Sequence, residues 1–113
     1  MEIKELIRLQ REFDSRHEGK FPWDQAISGD NLSMLQYLSL ALCGESGEMA
    51  NAVKKVVRGD ALYEEQRDAI VGEVTDVFIY VLKLAYQMEF DLENSYLSKM
   101  ESNRAKFTPY EHE

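Results

Sequence analysis

The chain has 113 residues, enough for one domain with a hydrophobic core and few for two. Its 13 Lys+Arg against 21 Asp+Glu leave a net charge of -8, which argues against a protein that tracks nucleic-acid polymers or docks on an anionic membrane. An apolar fraction of 44% is too high for a disordered acidic tail, and six Gly with two Pro leave little room for a turn-rich all-β fold.

From the start, apolar spacing is helical. Ile3, Leu6, Ile7 and Leu9 mark one face of an opening helix that should fade near His17. No apolar run follows a basic stretch near Met1, so no export segment is expected and the chain is read as cytoplasmic. Glu18 to Asn31 then reads as a loop, with Gly19, Pro22, Gly29 and Asp30. It carries two large rings, Phe21 and Trp23, which need a partner in the core or in a ligand.

Asp30 or Asn31 is placed to cap a second helix, whose apolar positions run from Leu32 to Val56. Arg58-Gly59-Asp60 should end it, with Gly59 at the position that favours a left-handed backbone and Asp60 capping the next helix. Cys43, the single cysteine, excludes an internal disulfide framework and is expected to be a small buried residue. A third helix should begin between Ala61 and Glu65 and run to about Met88. Asp91 is a plausible cap for a fourth, ending near Phe107 before Pro109.

Four helices with short connections predict an all-α fold, a four-helix bundle formed as a single domain over residues 1–113. The third helix is apolar on most of its circumference, through Ile70, Val71, Val74, Val77, Phe78, Ile79, Val81, Leu82, Leu84 and Ala85. Such a helix should be buried on nearly all sides, and one small subunit can hardly surround it. A homo-oligomer is therefore expected. The longest apolar stretch, Val77 to Ala85, is broken by Lys83 and falls short of the roughly 20 residues that span a bilayer.

Against that background Glu73, Asp76, Tyr80, Lys83 and Gln87 recur at steps of three and four, which places them in one stripe. The second helix carries a matching pair, Glu45 and Glu48, beside Gly44 and Gly47. Glycine costs a helix about 1 kcal/mol relative to Ala, so this pair of them predicts close approach by another helix or a ligand. Two acid pairs on facing helices converge four carboxylates, and like charges that close need a positive partner. An all-oxygen set suits Mg²⁺, with Mn²⁺ as a substitute. A di-iron bundle would need a Glu-x-x-His on each of two helices, and neither His17 nor His112 follows a Glu by three. The bland reading is a solvated face, or salt bridges to Lys54, Lys55 or Lys83; two embedded pairs together make it the weaker one.

Glu45-x-x-Glu48 followed by Glu73-x-x-Asp76 resembles the metal-binding signature of the MazG-like all-α nucleoside triphosphate pyrophosphohydrolases. The likeness runs from about Leu35 to Phe107 and includes the string Lys99 to Phe107, similar to the family's phosphate-contacting segment. The resemblance implies that Glu45, Glu48, Glu73 and Asp76 bind Mg²⁺, with Glu45 or Glu48 orienting the attacking water. It implies that Lys99 and Lys106 meet phosphates, that Asn103 hydrogen-bonds substrate, and that Tyr80 contacts the nucleotide as in the dCTP-hydrolysing branch. His17 and Trp23 are the candidates, by order along the chain, for the base pocket of that branch. The implied substrate is a (deoxy)nucleoside triphosphate, dCTP or a modified relative, cleaved to monophosphate and pyrophosphate in nucleotide-pool house-cleaning. Paired subunits are also implied, with a tetramer of two dimers favoured over a dimer. Two alternatives stand beside this: an enzyme acting on phosphoribosyl-ATP, and a helical interaction module without catalysis.

Overall fold

The computed structural model describes residues 1–111; His112, set aside above as a metal ligand, lies outside them. Among the described residues there are four α-helices and no strand: α1 (Ile3–His17), α2 (Leu32–Val57), α3 (Tyr63–Gln87) and α4 (Leu92–Phe107), followed by a short 3₁₀ turn (Thr108–Tyr110). The all-α expectation therefore holds, with helix ends close to those read from sequence.

The ends form for identifiable reasons. At the end of α2, Gly59 takes φ +89, and the amides of Gly59 and Asp60 reach back to the carbonyls of Val56 and Lys55 at 3.1 and 2.9 Å. That is the glycine-terminated helix end anticipated for this string. Asp91 caps α4 by accepting from the Asn94 amide at 3.0 Å. Two other expected caps are not used. Asp60 turns back to Arg58 at 2.6 Å, and α3 starts two residues further on, after Leu62. Asn31 precedes α2, but its side chain donates to the Ala26 carbonyl at 3.0 Å and so serves the loop.

α3 is the central element: α2 packs along one side of it and α1 along another. Among the described residues four apolar side chains are buried, Met34 and Leu38 of α2 with Leu82 and Ala85 of α3. The 18–31 loop is tied to the end of α3 by Gln87, which is 1% exposed. Its Nε2 donates to the carbonyls of Trp23 and Gln25 at 2.9 and 2.8 Å, and its backbone carbonyl accepts from the Ile27 amide at 2.8 Å.

α4 is not packed along the other helices, and only Leu92 and Asn103 of its residues are even half-buried. The radius of gyration is 17.4 Å, against about 13 Å for a compact chain of this length. The accessible surface, 8589 Å², exceeds the roughly 6,400 Å² of a typical monomer of this mass. The third helix is thus less buried within one subunit than its sequence demands. Val71, Val74 and Phe78 are 46%, 50% and 40% exposed.

One local expectation is corrected. Cys43 is exposed, in spite of its apolar neighbours in the chain. A Cβ built on Gly44 or Gly47 meets nothing within 4 Å, so nothing in the same subunit approaches these glycines closely.

α3 ends with the same backbone motif as α2, but without a glycine at the left-handed position. Glu89 occupies the left-handed region at φ +58, while the Phe90 amide reaches the Ala85 carbonyl at 3.1 Å. A side chain there is strained. Glu89→Gly is expected to raise stability by up to about 1 kcal/mol, a few degrees in Tm by thermal melting, after allowing for the entropy glycine adds to the unfolded chain.

Candidate active site

α2 and α3 face each other over much of their length, so the two acid pairs read from the sequence meet across the helix interface. Glu45, Glu73 and Asp76 each offer a carboxylate oxygen within 4.8 Å of the others. Glu48 stands beside them on the exposed side of α2, near enough for its charge to act on Glu45 and Glu73. The decisive detail is that one oxygen of Glu45 and one of Glu73 (Oε2 in each) are buried without any hydrogen-bond partner.

An orphaned buried carboxylate oxygen is costly, and two side by side are worse. Burial first, and then the neighbouring charges of Glu48 and Asp76, push the Glu45 carboxyl above the ordinary range. Burial followed by the Glu48 charge does the same for Glu73. Among the described residues no lysine or arginine pairs with either acid. The donor set is all oxygen and clustered, which fits a hard divalent cation.

A cleft of about 440 Å³ opens beside this cluster, lined by Gln10 and Phe13 of α1, Glu45 of α2, and Asp76, Ile79, Tyr80 and Lys83 of α3. Acids stand at one end and an ammonium at the other. Tyr80 projects from α3 one turn after Asp76; burial, then the charges around Tyr37, Glu45 and Asp76, raise its pKa and keep the phenol protonated.

α1 is held against α3 by a buried polar knot. Asp14 is wholly buried and accepts from Gln10 Nε2 at 2.9 Å and from the Tyr86 hydroxyl at 2.6 Å, with Lys83 Nζ at 3.2 Å. Burial and then the bond to Asp14 push the Tyr86 phenol strongly up, so it remains a donor. Lys83 therefore pairs with α1 and leaves the acid cluster without a protein cation among the described residues.

Other residues expected at the site are placed differently. His17 is exposed and stacks on Phe13 with centroids 4.2 Å apart, its Nδ1–H donating to the Phe13 carbonyl at 2.7 Å; Phe13, not His17, lines the cleft. Trp23 lies behind Lys83, whose ammonium is 5.6 Å from its ring, and the indole Nε1 is buried without a partner. Lys99 and Lys106 are exposed on α4, Asn103 is half-buried, and none of the three lines the cleft. Sequence reasoning misses Gln10, Phe13 and Asp14; their spacing of three and four along α1 is the signal that could find them.

A model of the MazG nucleotide pyrophosphohydrolase domain matches residues 32–106, and the chain belongs to that family. It is 40% identical over 62 residues to the "Gene 37 protein" of Mycobacterium phage L5, covering 53% of this chain and 54% of that one. Across 109 residues, 93% of its length, it is 30% and 31% identical to dCTP pyrophosphatase 1 of Rattus norvegicus and of Homo sapiens. It spans 58% of each of those two relatives. No solved structure matches.

Raised carboxyl values make a definite statement about pH. The folded, metal-free chain binds protons at Glu45 and Glu73 more readily than the unfolded chain does. The stabilisation from these groups is therefore complete below the ordinary carboxylate range and is lost as pH rises through their raised values. In thermal melts with chelator, Tm is expected to fall as pH rises above the ordinary carboxylate range, more steeply than in Glu45→Gln/Glu73→Gln. Added Mg²⁺ or Mn²⁺ should raise Tm at neutral pH in the parent chain alone.

Proposed function

We propose that this chain is a Mg²⁺-dependent nucleoside triphosphate pyrophosphohydrolase, with Mn²⁺ able to substitute. The observation that carries the reading is the pair of unpartnered buried oxygens on Glu45 and Glu73, beside Asp76 and at the end of an open cleft. An acidic protein takes up a triphosphate only where cations stand between the two negative charges. In the proposal Glu45, Glu48, Glu73 and Asp76 hold the metal. The chemistry it supplies when bound is charge neutralisation on the phosphates and acidification of water.

The protein's own groups do the rest. Glu48, the exposed acid beside the cluster, orients the water that attacks the α-phosphorus and takes up its proton; Glu45, half-buried at the helix interface, is the less exposed choice. Water adds, the bond to pyrophosphate breaks, and a nucleoside monophosphate remains. Tyr80 lies along the nucleotide, and Phe13 supplies the flat wall for the base, with His17 braced behind it. Trp23 supports the same end through Lys83. The named relatives, dCTP pyrophosphatases, support dCTP or a modified relative as substrate; the proposal adds a role in cleansing the nucleotide pool in the cytoplasm.

The working form is proposed to be a homo-oligomer, a tetramer of two dimers. Support comes from about 2,200 Å² of surface beyond that of a typical monomer and from the apolar groove formed by Phe78, Val81, Leu92 and Tyr96. Since Lys99, Asn103 and Lys106 do not line the cleft of their own subunit, they are assigned to the phosphates in a neighbour's cleft.

Pyrophosphate release with Mg²⁺ across a panel of canonical and modified triphosphates tests the activity; a folded, metal-loaded protein that releases none would overturn it. Glu48→Gln should lower kcat by at least about 1,000-fold while the protein stays folded and assembled. Mixing inactive Glu48→Gln with inactive Asn103→Ala subunits, with exchange allowed, should recover activity, because one site then has both residues intact. No recovery would place α4 on its own subunit's site.

A further inference from the structure

Lys83 is the one cation among the residues lining the cleft, and its placement is more specific than helix pairing requires. It stands seven residues beyond Asp76, two helical turns or about 10.5 Å along α3. With phosphates at the acids, that span is about one nucleoside, so Lys83 sits where a base would lie.

Its ammonium is held on several sides. Asp14 Oδ1 is 3.2 Å away, and the Tyr80 and Trp23 ring centroids are 5.2 and 5.6 Å away. The Lys83 side chain is 13% exposed while Asp14 has no exposure at all. An ammonium has three N–H donors. Asp14 accepts one, the rings hold the charge without accepting a directed bond, and the remaining donation faces the cleft. Asp14 is itself satisfied by Gln10 and Tyr86, so the lysine is oriented rather than consumed. A buried ion pair is a poor source of stability on its own. Its position on the cleft wall points to recognition.

We infer that Lys83 is a specificity-determining residue whose ammonium donates to an exocyclic oxygen of the nucleobase, with Asp14 as the positioning residue. This rests on the reading of the cleft as a triphosphate site. An exocyclic oxygen projects from the ring and reaches a donor on the wall. Adenine has no such oxygen, and presents an amine that an ammonium cannot accept from. The cleft therefore favours oxo-bearing bases (cytosine, uracil, thymine, guanine) over adenine.

The test uses nucleotides matched in size. Binding of dCTP against its 2-thio analogue, and of dITP against dATP, is measured by calorimetry with Ca²⁺ replacing Mg²⁺ so that the nucleotides persist; pyrophosphate release is measured in parallel with Mg²⁺. The oxygen-bearing member of a pair is expected to bind about tenfold more tightly, as one charge-assisted hydrogen bond supplies. Lys83→Met alone would leave Asp14 buried and unpaired, so the variant is Asp14→Asn/Lys83→Gln, which removes both charges. It should bring the ratio close to one while leaving the metal-dependent rise in Tm unchanged; Lys83→Arg should keep the preference. Equal binding within both pairs by the parent protein overturns the inference, whether or not the double variant folds. So does a preference that survives neutralisation, or an equal loss for every nucleotide, which is the mark of a structural role. Discriminating binding without pyrophosphate release would instead remove the hydrolase reading and leave this one standing.

Discussion

Two helices packed face to face across carboxylates are unstable unless something positive lies between them, and that constraint organises this molecule. Glu45 and Glu73 are brought together by the contact of α2 with α3 that also makes most of the core. Lys83, the cation on the cleft wall, brings no relief, for Asp14 holds it at the far end of the cleft. The two charge systems are thus kept apart: one is neutralised internally, and the other is left open to a cation from solution. Folding carries an electrostatic cost at that point, since the contacts that bring the acids together also leave two of their oxygens unpartnered.

The geometry separates functions along α3. Its middle carries Glu73 and Asp76, one turn on comes Tyr80, and further on Lys83 and Gln87 secure α1 and the 18–31 loop. A single rigid helix thereby sets the spacing between the carboxylate end of the cleft and its ammonium end. Rigid elements hold such spacings more closely than loops do.

Much of this is legible in the sequence because it depends on local repetition. Acids at steps of three, Gly59 after a helix and Asp91 before one all act within a few residues of themselves. What escapes depends on pairings across the chain. Asp14 looks like any polar residue on a surface helix until Tyr86, 72 positions away, donates to it. Residue type favours His17 over Phe13, yet one helical turn decides which ring meets the cleft. The apolar neighbours of Cys43 suggest burial, while the helix turns it outward. The roles assigned to the site residues are of another kind, since they depend on a ligand and on neighbouring subunits.

The sparse interior has a consequence for how the protein behaves in a tube. Four buried apolar side chains among the described residues are a thin core for a chain of 113 residues, and many of the large apolar side chains remain accessible. Where a second copy supplies the missing cover, stability ceases to be a property of the polypeptide alone. It becomes a function of protein concentration, rising with the logarithm of the amount present. Strong dilution then acts as a denaturant, and a specific activity measured at nanomolar enzyme reports assembly as much as chemistry.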